Sequence, residues 1–385
     1  MYVLMVTPNE FPNGDAGSLR DESFAKIYNE LGYTPVIICK NRTERTGTYN
    51  GIRFISIFRR ADSLIKKINR YLQYTKDLKI ALTALENEMG KPSLIHLYDA
   101  TPKAISYIKK YARTNDIQLI HDSVEWYSPC EFKLKSFDKA YILKDRLNRV
   151  IINKQFKVIA ISSYLQNHFE QRGIETVRIP VILDVISENV SHYRGETIKF
   201  VYAGSPLAKD HLVELVRAFS SLSAEDQTKV QFDIYGINKK QLIDLTGQNE
   251  VPMVIKVHGR VSRGEIIAAL LNSDFSVLLR PSEERYTKAG FPTKAVEAMS
   301  HGVVMLCNLT SDLNKYLVDG QNAVIIKECT EESALSAIKR ILLLSRKEIN
   351  DMKMRARETA EINFDYRNYY GVVRKLISRI ELDEG

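Results

Sequence analysis

One stretch combines residue types that could hold a phosphorylated ligand: KAGFPTKAVEAMSHG, Lys288–Gly302. Gly290 lets a backbone approach a ligand closely, and Pro292 fixes the chain at the mouth of a helix. Thr293 is expected to cap that helix. The unpaired N–H groups of a helix start, with the positive end of its dipole, attract an anion. Helix side chains lean toward the N-terminus, so Glu297, one turn in, points back to whatever lies beside that anion. A carboxylate accepts two hydrogen bonds at once, which suits a ribose diol. Diphosphate at the helix start and ribose on Glu297 would together describe a nucleotide. The plainer alternative is that Glu297 only complements the helix dipole.

Other segments carry compatible chemistry. YAGSPLAKDH places Gly204 and Ser205 at a strand end, with Lys209 five residues beyond the glycine, where it could reach over a loop to a phosphate. Tyr235 and Gly236 end a second strand. His258–Val261, HGRV, could lay Gly259 and Val261 against a base edge with Arg260 over the ring, and Arg280 follows a fourth strand. Lys209 and Arg260 taken singly also read as solvated surface charges. The sequence has neither GxxxxGK[ST] nor GxGxxG, so a Walker loop and a nicotinamide or flavin fold lack support. It has no DxD where a divalent cation would sit, and neither a metal nor another cofactor is expected.

The elements that must position these residues alternate along the chain. Strands are expected at Val3–Val6, Pro35–Cys39, Arg53–Ile57, Leu94–Leu97, Leu119–His121 and Val158–Ile161. A second series covers Phe200–Ala203, Phe232–Tyr235, Val254–Val257, Phe275–Leu279, Val303–Cys307 and Ala323–Ile326. Helical patterns such as Ser18–Leu31, Thr101–Ala112, His211–Ser221 and Arg263–Leu271 fall between them. Strand–helix alternation implies an α/β fold with parallel sheets covered on both faces, and two series imply two doubly wound domains. The polar stretch Asp184–Thr197 reads as the linker. Ligands in such sheets bind beyond the carboxyl ends of the strands, and polar or glycine-rich segments follow the strands in both halves. In the first half these include Gly14 and Gly17, Asp99, and the run His121–Glu125.

Length and composition agree. A chain of 385 residues is long for one domain, and 44% apolar residues suffice for two cores. The four cysteines have no CxxC spacing, which argues against a disulfide framework or zinc site and suits a reducing cytosol. The first residues do not read as a signal peptide, and no run approaches the ~20 apolar residues of a membrane span. Residues 1–190 carry 28 Lys and Arg against 21 Asp and Glu, a net of +7, and the remainder 27 against 26. The first half therefore either faces something anionic or simply meets water. Arg59–Lys79, with seven cations and two anions among leucines and isoleucines, fits a membrane-surface helix or a solvated one packed by its apolar stripe.

These phrases resemble those of GT-B glycosyltransferases of the family 4 type, a retaining family. The resemblance is most specific in YAGSPLAKD, VHGRV, AGFPTKAVEAMSHGVV and YLVDGQNAVII. It implies two Rossmann-like domains facing across a cleft: an acceptor domain over 1–185 and a nucleotide-sugar domain over 196–364. A terminal helix over 365–385 would cross back to the first. Glu297 matches the second glutamate of the family's E-x7-E motif and would bind ribose. Ala289 stands where the first glutamate, a donor-sugar contact, usually is, and Ser205 stands where an arginine is common. Lys209 would then carry the diphosphate charge. The resemblance also implies a histidine near the reacting carbon, for which His121 and His96 are candidates and His121 is preferred. Gly14, Gly17, Asp99 and Glu125 would join it on the acceptor side.

The expected reaction moves a sugar from a UDP- or GDP-type nucleotide-sugar to a glycan or lipid-diphosphate-linked acceptor, with retention and without a metal, in surface polysaccharide or glycolipid synthesis. The expected setting is the cytoplasm, peripheral on the inner face of the cell membrane. Two rival readings share the fold: a sugar-nucleotide epimerase, and a catalytically silent sugar-nucleotide-binding scaffold, motivated by Ala289. Nucleic-acid binding lacks the interleaved aromatics it would need.

Overall fold

The computed structural model describes residues 1–12, 14, 16–59, 64–193, 195–204 and 210–378, with residues 64–72 described by backbone alone. The chain divides into two units, Met1–Leu183 with Tyr366–Gly385, and Asp184–Asp365.

The first unit is built on strands β1 (Tyr2–Glu10), β2 (Thr34–Lys40), β3 (Thr46–Tyr49), β4 (Ile52–Ser56), β5 (Leu94–Leu97), β6 (Gln118–Ser123), β7 (Phe156–Ala160) and β8 (Thr176–Arg178). They form one sheet in the order β3-β4-β2-β1-β5-β6-β7-β8. Every pairing is parallel except β3 with β4. Its helices are α1 (Ala16–Glu30), α2 (Leu64–Met89), α3 (Pro102–Thr114), α4 (Lys139–Arg146) and α5 (Ser163–Glu170). Runs such as VLMV and VIIC are apolar throughout because helices cover both faces of the sheet. Thr101 caps α3 by accepting from the Ala104 N–H, with Pro102 at the first helical position. Two strands were not expected. β3 is short and half-exposed, but Asn50 (φ 48°) and Gly51 (φ 77°) close it onto β4 as a tight Asn-Gly hairpin. The three residues of β8 are too few to show periodicity.

The second unit carries β9 (Ile198–Ala203), β10 (Val230–Tyr235), β11 (Ile255–Gly259), β12 (Phe275–Leu278), β13 (Val304–Cys307) and β14 (Ala323–Ile325), all parallel, in the order β11-β10-β9-β12-β13-β14. Its helices are α6 (Leu212–Ser220), α7 (Ala224–Thr228), α8 (Lys239–Thr246), α9 (Arg263–Leu271), α10 (Arg285–Ala289), α11 (Thr293–Ser300), α12 (Glu331–Leu342) and α13 (Arg346–Phe364). Phe200, Phe219, Phe232 and Phe275 stack in its core. The strand order reverses between β9 and β12, and in open parallel sheets ligands bind beyond the carboxyl ends at such a reversal. A last helix, α14 (Tyr370–Ile377), belongs to the first unit, where Tyr366, Val373 and Leu376 join the core around Phe24 and Tyr28.

The expected linker is not a free tether. Ser191, 1% exposed, donates to the carbonyls of Leu271 (2.8 Å) and Ser273 (3.2 Å) and accepts from the buried Lys353 ammonium (2.9 Å). His301 and Arg357 bond the backbone of Asn189 and Glu188. Its polar groups satisfy buried backbone.

Candidate functional site

The carboxyl ends of β9 and β12 flank one buried carboxylate. Asp210 accepts from the Tyr202 hydroxyl (2.7 Å), Arg280 Nε (2.8 Å) and Lys294 Nζ (2.9 Å). Burial alone would push its carboxyl up, but Lys294 and Arg280 outweigh that and hold it at about 2. Burial in turn lowers the Lys294 ammonium. Two cations for one carboxylate leave the cluster net positive. Lys294 Nζ also lies 4.6 Å from the centre of the Tyr202 ring. Gly204 makes room for it: a Cβ there would lie 2.1 Å from Lys294 Nζ. Arg280 is fixed through its backbone, since the Asn308 amide accepts from its N–H (2.9 Å) and donates to its carbonyl (2.6 Å).

Lys294 is the second residue of α11; the Ala295 N–H, third in the helix, donates to the Pro292 carbonyl (3.0 Å), and the two N–H groups before it precede any intrahelical acceptor. Thr293 is not the cap: Pro292 holds the cap position with no side-chain bond, and Thr293 begins the helix. Gly290 uses its N–H on the Tyr286 carbonyl (3.0 Å), closing α10, so that group is not a free donor. Ala289 is fully buried, and the Phe291 ring packs edge-on against Tyr316 and tilted against Phe364, so of Phe291 only backbone faces the site. Glu297, one turn into α11, is held by Arg263 Nη1 at 2.8 Å. Arg263 opens α9, which Ser262 and Glu265 cap reciprocally.

The ends of β10 and β11 are laced to this group. Gly204 N–H donates to the Tyr235 carbonyl (3.1 Å), Gly236 N–H to Gly259 (2.6 Å) and Gly259 N–H to Ile237 (3.1 Å). Gly236 (φ 97°) and Gly259 (φ 74°) take backbone conformations that favour glycine. The His258 ring stacks on Tyr235 at 4.3 Å, and its Nε2 lies 2.6 Å from Asp233 Oδ1. Arg260 is exposed beside this platform and Val261 is half-buried. Ser205 and Lys209 lie outside the described residues. Lys294, Asp210, Tyr202 and Arg263 were not singled out from the sequence. Lys294 stands inside the quoted motif, but its partner is 84 residues away, and no spacing rule links them.

The first unit gathers a second group. Gly17 opens α1 against Asn9, where a Cβ would come within 2.4 Å of the amide, and that amide donates to Asp21 Oδ2 (2.8 Å). Gly14 N–H donates to Ser18 Oγ (3.2 Å). Burial pushes Asp21 up to about 7, against hydrogen bonds from Asn9 and Thr7. Beside it Arg20 binds Asp122 in a bidentate pair (2.7 and 2.8 Å). His96 is sealed inside, its Nδ1 2.8 Å from the Tyr28 hydroxyl. His121 is 2% exposed between Phe156 and Phe169, and burial pulls it down to about 4, so it is neutral at neutral pH. Its Nδ1 faces the Leu97 carbonyl (3.2 Å), which places the proton there and leaves Nε2 as the acceptor. It lines a cavity of about 40 Å³ with Tyr98, Asp99, Glu125, Tyr127 and Lys144. Asp99 and Lys144 form an ion pair there. Among the described residues no group of three or more His, Cys, Asp or Glu could hold a metal ion, and no helix is long and apolar enough to cross a membrane.

Residues 187–359 match the family model described as glycosyl transferases group 1. No curated protein matches the sequence. Among solved structures the chain is similar to sucrose-phosphate synthase from Thermosynechococcus elongatus, at 12% identity and a TM-score of 0.75, covering 98% of both chains. It is also similar to Anabaena HepE in complex with UDP and glucose (14% identity, TM-score 0.68, covering 97% of this chain and 98% of that one). A third is WaaG, a glycosyltransferase involved in lipopolysaccharide biosynthesis (13%, 0.68, covering 98% and 99%). The sheet orders and these likenesses agree: the chain has the GT-B glycosyltransferase fold, and residues 187–359 of its second unit match the model of glycosyl transferases group 1.

Proposed function

We propose that this protein transfers a sugar from a UDP-sugar to a glycan or lipid-diphosphate-linked acceptor, with retention and without a metal, in the synthesis of surface polysaccharide or glycolipid. The observation that carries this reading is the net-positive pair Lys294 and Arg280 on Asp210, set at the N-terminus of α11 with Glu297 one turn further. Breaking the anomeric bond leaves charge on a diphosphate, and preorganised donors aimed at that charge are expected to be the largest catalytic term. Lys294, Arg280 and the first N–H groups of α11 supply them, with Lys209 as a further cation.

Glu297 takes the ribose hydroxyls, oriented by Arg263, and the Tyr235–His258 platform with the Gly236 and Gly259 backbone takes the base. The acceptor hydroxyl attacks from the face the diphosphate leaves, and a phosphate oxygen receives its proton. Asp99, His121 and Glu125 would bind acceptor hydroxyls in the first unit. The choice of UDP over GDP rests on HepE, whose crystals hold UDP and UDP-glucose.

The test is a titration of the protein with UDP, GDP, ADP and CMP, following the melting temperature, with Glu297→Ala and Lys294→Ala alongside. A rise with UDP that Glu297→Ala abolishes supports the donor site. Release of free sugar or transfer from UDP-glucose then separates an enzyme from a silent scaffold. No rise with any nucleotide would overturn the reading.

A further inference from the structure

Between β6 and β7 the chain makes a helical excursion, Pro129–Ile151, that leaves large apolar side chains in solvent. Phe137 is 86% exposed, Leu134 66% and Val150 59%, and Ile142 and Leu143 on α4 are exposed as well. The excursion exposes five large apolar residues, and no separate stretch of that length exposes more than three among those described. Single exposed leucines need no explanation, whereas a cluster does.

The charges around this cluster are one-sided. Its three acids are committed to holding the excursion together. Glu131 accepts from the Ser128 N–H (2.7 Å), Asp138 caps α4 through the Ala140 N–H (2.9 Å), and Asp145 accepts from Trp126 Nε1 (2.9 Å) and Arg149 Nε (2.7 Å). Lys133, Lys135, Lys139 and Arg146 are exposed and have no partner among the described residues. The base is rigid: Phe132 packs edge-on against Tyr127 and Tyr141, each at 5.7 Å. The exposed tips are therefore presented, not frayed.

We propose that this face docks the protein on an anionic lipid surface, with Leu134 and Phe137 entering the headgroup layer and Lys133, Lys135 and Lys139 meeting lipid phosphates. Apolar tips ringed by unpaired lysines suit an interface that is anionic outside and apolar beneath. An acidic protein would satisfy the lysines and leave the phenylalanine in water. Of the basic stretch Arg59–Lys79, residues 60–72 lie outside those whose side chains are described; Arg59 is paired with Asp77 (2.6 Å) and Lys79 sits over the Tyr107 ring (4.7 Å).

The full chain is mixed with phosphatidylcholine vesicles and with phosphatidylcholine–phosphatidylglycerol vesicles and sedimented. Binding is expected to the anionic vesicles only and to fall as salt is raised. The double variant Leu134→Asp/Phe137→Asp is expected to reduce the bound fraction by about tenfold or more, and Lys133→Glu/Lys135→Glu similarly. Both sites are exposed, so the variants should keep the wild-type melting temperature and nucleotide response; this separates failure here from failure of the donor site. Equal sedimentation of wild type and the apolar double variant would overturn the proposal. So would no vesicle binding at all, or lipid-free self-association that Phe137→Asp abolishes.

Discussion

Lys294 Nζ lies 2.9 Å from Asp210 Oδ2 and fills the place where a side chain at Gly204 would begin. One glycine, one lysine and one aspartate from three separate segments thus define a single point of positive charge. Gly204→Ala tests this directly. The added methyl would meet the far end of a flexible side chain, so Lys294 would swing rather than the backbone break. We expect a stability loss below about 1 kcal/mol, with donor KM raised by roughly an order of magnitude. Chemical denaturation and steady-state kinetics read the two effects separately.

Lys294→Met removes the charge while keeping the stem. Asp210 then keeps Arg280 and Tyr202, so the carboxylate is not orphaned. Lys294 is partly exposed, and the stability cost should be about 1–2 kcal/mol, less than the full penalty of a sealed pair. Turnover with the nucleotide-sugar should fall more than affinity for the free nucleoside, because the lost cation faces the leaving group. Equal losses in both would argue against that role.

Arg263→Ala frees Glu297. The pair is solvent-exposed, and its removal should change stability by less than about 1 kcal/mol. Nucleoside affinity should weaken several-fold if Arg263 holds the carboxylate in its binding rotamer, and calorimetric titration with uridine measures it. Arg263→Lys should recover part of the loss.

Asp21 gives a pH signature. Its folded pKa, about 7, stands above the ordinary carboxyl value, so the folded state retains a proton that the unfolded chain releases. Its contribution is full below about pH 4 and is lost as pH rises through 7. His121, held at about 4, does the reverse: its contribution is full above about 6.5 and is lost as pH falls through 4. The two slopes oppose each other in the wild type. Asp21→Asn should therefore unmask the histidine, and stability should rise with pH between about 4 and 6.5. Urea denaturation at several pH values is the measurement.

Much of this molecule is legible in its sequence because parallel strands buried on both faces are short apolar runs. Leu94–Leu97 and Arg263–Leu271 have the same bounds in the structure as in the sequence reading. The Asn50–Gly51 turn was equally readable, but the half-exposed strand before it lacked apolar residues to mark it. Glu297 stood out because a carboxylate one turn into a helix has a geometric meaning. Asp210 did not, because a carboxylate declares itself only beside the cations that hold it. The Asp184–Thr197 stretch reads as a linker, and the two units divide at its start, but its bonds to Leu271 and His301 lie far along the chain and no local pattern marks them.

The bonds from Asn308 to both backbone atoms of Arg280 copy the pairing of adjacent strands. A side-chain amide thereby adds one more rung to the ladder after β12 and β13 have ended. The arginine gains the stillness of a central strand while standing in a loop. Asn308→Leu should loosen the cation without touching any charge.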